Sequence, residues 1–177
     1  EWKDEEVRPQ AYEREPKSPT DAIQKAVDLI NTAERPIVLA GHGVILAGAT
    51  EALVDFAEKA QVPVAMTLLG LGGFPGTHSL NLGMMGLHGE AWVNQAIQEA
   101  DLILAFGMRF DDRVTGNVSG FAKGARKIHV DVDPSEINKI VKVDVGIVGD
   151  LRDVLSSFAR EVESNSHLEW QAHINEL

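Results

Sequence analysis

The run Leu102-Ile103-Leu104-Ala105-Phe106 contains no polar side chain, and Gly107 follows it at once. A strand that shows neither face to water belongs in a parallel sheet covered by helices on both sides. The turn behind it reads Met108-Arg109-Phe110-Asp111-Asp112-Arg113, with four charges directly after a buried strand. In open α/β sheets, ligands sit outside the carboxyl ends of the strands. This turn is therefore the first place to look for chemistry.

Residues 37–40, 62–67, 128–132 and 143–148 are further apolar strand candidates, with a short sixth near 78–82. Helical stripes alternate with them: Ile23, Ala26, Val27 and Ile30, then Leu53, Phe56, Ala57 and Ala60, then Leu151, Val154, Leu155 and Phe158. Ser18-Pro19-Thr20-Asp21 carries the start signal of the first helix. Ala91, Trp92, Gln95, Ala96 and Ala100 are spaced as the sheet-facing stripe of another, opened by Gly86, His88 and Gly89. Gly89 there leaves room for a ligand to approach the backbone. Residues 68–81, rich in Gly and broken by Pro75, form a longer loop than an ordinary connection. Pro134 starts a short helical turn through Asn138.

This alternation predicts an α/β fold: a doubly wound, Rossmann-like parallel sheet of five to six strands with helices on both faces. The expected organisation is a linker over 1–18, one central nucleotide-binding domain over 19–163, and a tail or linker over 164–177. The opening Glu1-Trp2-Lys3 reads as the start of a piece of a larger protein.

The net charge is −11, from 16 basic and 27 acidic residues in 177. That argues against a general nucleic-acid or anionic-membrane surface, while a helix start or two arginines can still fix a phosphate locally. No apolar run approaches the roughly 20 residues of a membrane span, and no signal peptide is visible. The chain has no cysteine, which excludes disulfides and thiolate-bound metal and suits the cytoplasm, the expected compartment.

Gly41, His42 and Gly43 follow the first strand, but the G-x-G-x-x-G pattern is incomplete because position 46 is Leu. They form either a phosphate-binding turn or a tight strand-to-helix turn. Arg109 and Arg113 suit a diphosphate or the polar edge of a flavin, or else surface pairs with Asp111 and Asp112. Asp131 ends a strand, where an acid either holds a ribose or caps the next turn, a role that fits Asp133 better. Asp150 is placed to cap the last helix and also to touch a ligand. His88 is placed to pack on a ring or donate one hydrogen bond. Met84, Met85 and Leu87 line either a flat ring or the core. His42, His78 and His129 lack metal-ligand spacing, so no metal is expected.

The segments GMMGLHG, FGMRFDDRVTG, HVDVDPSEINK and VGD, in that order and spacing, resemble the central domain of the acetohydroxyacid synthase (acetolactate synthase) catalytic subunits over roughly residues 19–163. Glyoxylate carboligases are the nearest other family, and a spacer domain holding no nucleotide is the alternative role. The resemblance implies three α/β domains. The middle one binds FAD, and the outer two bind thiamine diphosphate and magnesium across a dimer interface. It implies a homodimer or homotetramer with a regulatory subunit. For the whole enzyme it implies decarboxylation of pyruvate and transfer of the two-carbon unit to pyruvate or 2-oxobutyrate, toward the branched-chain amino acids.

Carried over by motif, the implied FAD contacts are Gly41, His42 and Gly43; Thr67 and Leu68; Leu87, His88, Gly89, Gly107, Arg109, Asp111, Arg113 and Val114; and Asp131, Val132, Gly149, Asp150 and Leu151. Many relatives carry Met where this chain has Leu87, a swap of similar volume. The thiamine-binding GDG segment is missing, since the only Gly-Asp is Gly149-Asp150. The chain alone is expected to hold no thiamine diphosphate and to turn over no pyruvate.

Overall fold

The computed structural model describes residues 20–177, so the expected linker over 1–18 and the Ser18-Pro19 start signal lie outside the described residues. Six strands form one parallel sheet: β1 Pro36–Ala40, β2 Val64–Met66, β3 Asn81–Met84, β4 Leu102–Phe106, β5 Arg126–Asp131 and β6 Val145–Val148. Their order is β3-β2-β1-β4-β5-β6. The chain thus winds one way from β1 and the other way from β4. The crevice left at that reversal, above the ends of β1 and β4, is where such sheets bind ligands.

The helices are α1 Thr20–Thr32, α2 His42–Leu46, α3 Thr50–Ala60, α4 Ala91–Glu99, α5 Asp112–Thr115, α6 Leu151–Glu161 and α7 Leu168–Glu176. Side chains alternate along each strand, and both sets are apolar except on β5, where Lys127 and His129 are buried polar side chains. Val38, Leu104, Phe106, Ile128 and Ile147 face α1, α3 and α6. Ile37, Leu39, Ile103 and Ala105 face α4 and α7. Phe56 packs against Phe106 and Phe158 at centroid distances of 5.9 and 5.8 Å. Each such side chain contributes roughly 1.5–3 kcal/mol by leaving water. The stripes expected on α3 and α6 are the ones buried, as are Ala26, Val27 and Ile30 of α1.

Four local expectations are corrected. The buried stripe of α4 is Val93, Ala96, Ile97 and Ala100, with Gln95 on the water side; Trp92 and Ala91 suggested the wrong phase. This helix starts at Ala91, so Gly86, His88 and Gly89 lie in the turn before it. β3 begins at Asn81, because residues 78–81 are held in turns by His78 N–H to Pro75 O (3.2 Å) and Asn81 N–H to His78 O (2.9 Å). Residues 134–138 form hydrogen-bonded turns and no helix.

The segment 164–177 carries α7, whose Trp170 and Ile174 are buried against the sheet. Trp170 Nε1–H donates to Pro36 O at 2.9 Å, and His173 Nε2 meets Glu99 Oε2 at 2.6 Å. Two apolar anchors in a short polar stretch make a weak periodic signal, so tertiary packing decides this helix.

Candidate functional site

The floor of the crevice consists of two loops in backbone contact. A Cβ on Gly41 would lie 2.3 Å from Gly107 O and 2.4 Å from Met108 Cβ, and one on Gly43 would lie 2.6 Å from Gly107 Cα. Gly107 itself has φ +55°, which favours glycine. Hydrogen bonds run from Gly41 N–H to Phe106 O and from Gly43 N–H to Gly107 O, both 2.9 Å. These glycines let the β1 and β4 turns touch, and the turns then splay their side chains upward.

Above this floor lies a cleft of about 880 Å³. Its lining carries His42 and Gly43 of the β1 turn with Thr67 and Leu68 of the β2 turn. His42 Nδ1–H donates to Leu69 O (2.9 Å) and Thr67 N–H to Ala40 O (3.0 Å), so the two turns brace each other, while Thr67 Oγ1 accepts from Gly70 N–H (3.0 Å) within the β2 turn. The lining also carries Leu87 and His88 from the β3 turn, and Gly107, Arg109, Asp111, Arg113 and Val114 after β4. Asp131 and Val132 after β5 join it, with Asp150 and Leu151 at the start of α6. Residues scattered along more than a hundred positions therefore meet in one space, and Arg109, Arg113 and His88 share it.

Three of the carried-over residues do not line the cleft. Gly41 lies beneath it, against Gly107 and Met108. Gly89 faces its own loop: a Cβ there would meet Met84 O at 2.5 Å, so the expected room for a ligand is taken by backbone. Gly149 is buried, its N–H donating to Asp131 O at 3.1 Å. The lining also includes Leu46, Ala47, Leu69, Met108, Val130, Asp133 and Glu136, which motif reasoning did not select, as well as Met84 and Met85. Helical spacing from His42 points to Leu46, whereas no local pattern marks Glu136.

The lining carries charge of both signs. Arg109 and Arg113 are 67% and 78% exposed, and each reaches an aspartate only at 3.8 Å, Asp111 and Asp112 respectively. Such surface pairs are worth about 0–1 kcal/mol, so both guanidiniums are available to an anion. Asp150 caps α6 by accepting from Arg152 N–H (2.8 Å) and Asp153 N–H (3.4 Å). Asp131 Oδ1 accepts from Asp133 N–H (2.9 Å). Burial pushes the Asp131 carboxyl up, against the downward pull of that hydrogen bond. His129, beneath it on β5, donates from Nε2 to Met108 O (2.8 Å), and its Nδ1 has no partner. Burial holds its imidazole below the usual range, and the Met108 bond only partly offsets this. The apolar part of the lining includes exposed Leu46, Leu68 and Leu87 and buried Met85. The arrangement suits an elongated ligand with an anionic centre, a flat apolar part and a hydroxyl-bearing part.

Comparison with known proteins gives concordant results. The family described as thiamine pyrophosphate enzyme, central domain, matches residues 23–158. The chain is 46% identical over 160 residues to the acetolactate synthase large subunit of Corynebacterium glutamicum, covering 88% of this chain and 26% of that protein. It is 43% identical over 157 residues to the acetolactate synthase isozyme 1 large subunit of Escherichia coli K12, covering 89% and 28%. A solved thiamin diphosphate-dependent enzyme from Mycobacterium smegmatis superposes with a TM-score of 0.71 at 26% identity, over 85% of this chain and 29% of that one. The chain spans about a quarter of the length of the curated relatives it matches.

Proposed function

The chain belongs to the thiamine pyrophosphate enzymes, as a central domain, and on that premise we propose that its cleft holds FAD within an acetolactate synthase large subunit. The observation that carries this reading is the gathering of Arg109, Arg113 and His88 in one cleft with Asp131 and Asp150. Paired guanidiniums fit a diphosphate as planar, permanent cations. Carboxylates at strand ends fit ribose hydroxyls. The leucines and methionines of the lining fit a flat ring system.

The full enzyme would decarboxylate pyruvate and add the two-carbon unit to a second 2-oxo acid, with thiamine diphosphate and magnesium on the flanking domains. That reaction is redox-neutral, so FAD would brace the site rather than exchange electrons with substrate. That relatives are large subunits supports a smaller regulatory partner. The cytoplasm is the proposed compartment; among the described residues no helix is long and apolar enough to cross a membrane.

The test is a titration of this chain with FAD, followed by flavin fluorescence and by thermal shift. Binding is expected, with affinity falling about tenfold or more in Arg109→Ala or Arg113→Ala, since a hydrogen bond to a charged group is worth about 1.5–3 kcal/mol. A folded chain that takes up no FAD at millimolar concentration would refute the reading and leave a spacer domain.

A further inference from the structure

We propose that Asn94 is a positioning residue that ties the His88 turn and the Arg113 turn into one unit, an inference that rests on the cleft being a ligand site. Asn94 lies in α4 and does not line the cleft. Its Oδ1 accepts from Gly86 N–H at 2.8 Å, and its Nδ2 donates to Gly86 O at 2.9 Å. Both polar groups of one buried peptide residue are thereby satisfied by one side chain. A primary amide supplies the donor and the acceptor together at any pH.

Gly86 is held from the other side as well. It has φ +95°, and a Cβ there would stand 2.6 Å from Arg113 O. The next residue, Leu87, donates its N–H to that same Arg113 oxygen at 2.7 Å. A continuous path therefore runs from the Asn94 amide through Gly86 and Leu87 to the backbone of Arg113. The remaining bonds of this turn tie it to the end of β2, through Met85 N–H to Met66 O, or to itself, through Gly89 N–H to Gly86 O and Glu90 N–H to Met84 O. They do not fix where the turn stands relative to α5. Two lining segments that come from different strand ends are thus aligned by one side chain outside the cleft.

A merely helical role predicts the opposite behaviour. Asn is a poor helix former and Ala the best, so Asn94→Ala on that view leaves the domain intact or firmer. On the proposed role, Asn94→Ala raises amide hydrogen exchange about tenfold or more at residues 86–88. It also raises exchange at 113–116, while β1 and β4 stay as slow as in the unmodified chain. FAD affinity falls about tenfold with little change in melting temperature.

Asn94→Asp supplies the second variant. Its carboxylate keeps the acceptor for Gly86 N–H but sets an oxygen against Gly86 O. Protection of 86–88 is expected to be poor at neutral pH. It should recover, relative to the unmodified chain at the same pH, once the carboxyl protonates and can donate. Unchanged exchange at 113–116 in Asn94→Ala, or no recovery on acidification in Asn94→Asp, overturns the proposal. If the unmodified chain binds no FAD, the reading of the cleft falls, while the exchange measurements still decide the role of Asn94.

Discussion

Replacing Gly41 by Ala tests whether the β1 and β4 turns are in backbone contact. The backbone at Gly41 has φ −103° and ψ −172°, an extended conformation open to any residue, so the substitution carries no dihedral cost. All of its cost is steric. The new Cβ would stand 2.4 Å from Met108 Cβ and 2.6 Å from Met108 Cα. Carbon atoms rest at about 3.5–4.0 Å, so the Gly107-Met108 backbone must retreat by roughly 1 Å. Overpacking of this kind costs about 1–3 kcal/mol. Weakening the bond from Gly43 N–H to Gly107 O adds about 1 kcal/mol. A loss of about 3 kcal/mol in a domain of this size lowers the melting temperature by roughly 6–12 °C. Urea and thermal unfolding of Gly41→Ala would measure it. Gly124→Ala is the control, because a Cβ there meets nothing within 4 Å; its stability should stay within about 0.5 kcal/mol of the unmodified chain. The reasoning fails if the two variants unfold at the same midpoint.

Two further outcomes are expected. Trp170→Ala removes a buried ring and the donor to Pro36 O, so it should cost about 3–5 kcal/mol; a chain ending before α7 that melts with the unmodified one would show that α7 is dispensable. Stability should also fall on acidification. His129 and His167 are both held below the ordinary histidine range, chiefly by burial. The unfolded chain therefore binds protons that the folded chain refuses, and stability present above the unfolded histidine pKa of about 6.5 is lost as pH drops below it. Asp131, raised by burial, acts with the opposite sign in the more acidic window between its unfolded and folded values. His129→Gln keeps a donor for Met108 O without titrating, and should flatten the melting-temperature profile between pH 7.5 and 5.5.

The strand-helix alternation, the buried faces of α3 and α6, and the extent of β4 were legible because each rests on local periodicity. An apolar strand such as Leu102–Phe106 can be buried on both faces in only a few architectures, and one of them formed. The motif turns also showed which residue types would gather. What one dimension does not carry is the register between distant turns. That Gly41 packs on Gly107 and Met108, that Gly89 faces its own loop, and that Asn94 reaches Gly86 all follow from close contacts between segments distant or turned back in the chain. The phase of α4 and the existence of α7 were likewise settled by what each helix packs against. Local propensity is worth tenths of a kcal/mol per residue and burial of a tryptophan several, so the tertiary term wins wherever the two disagree.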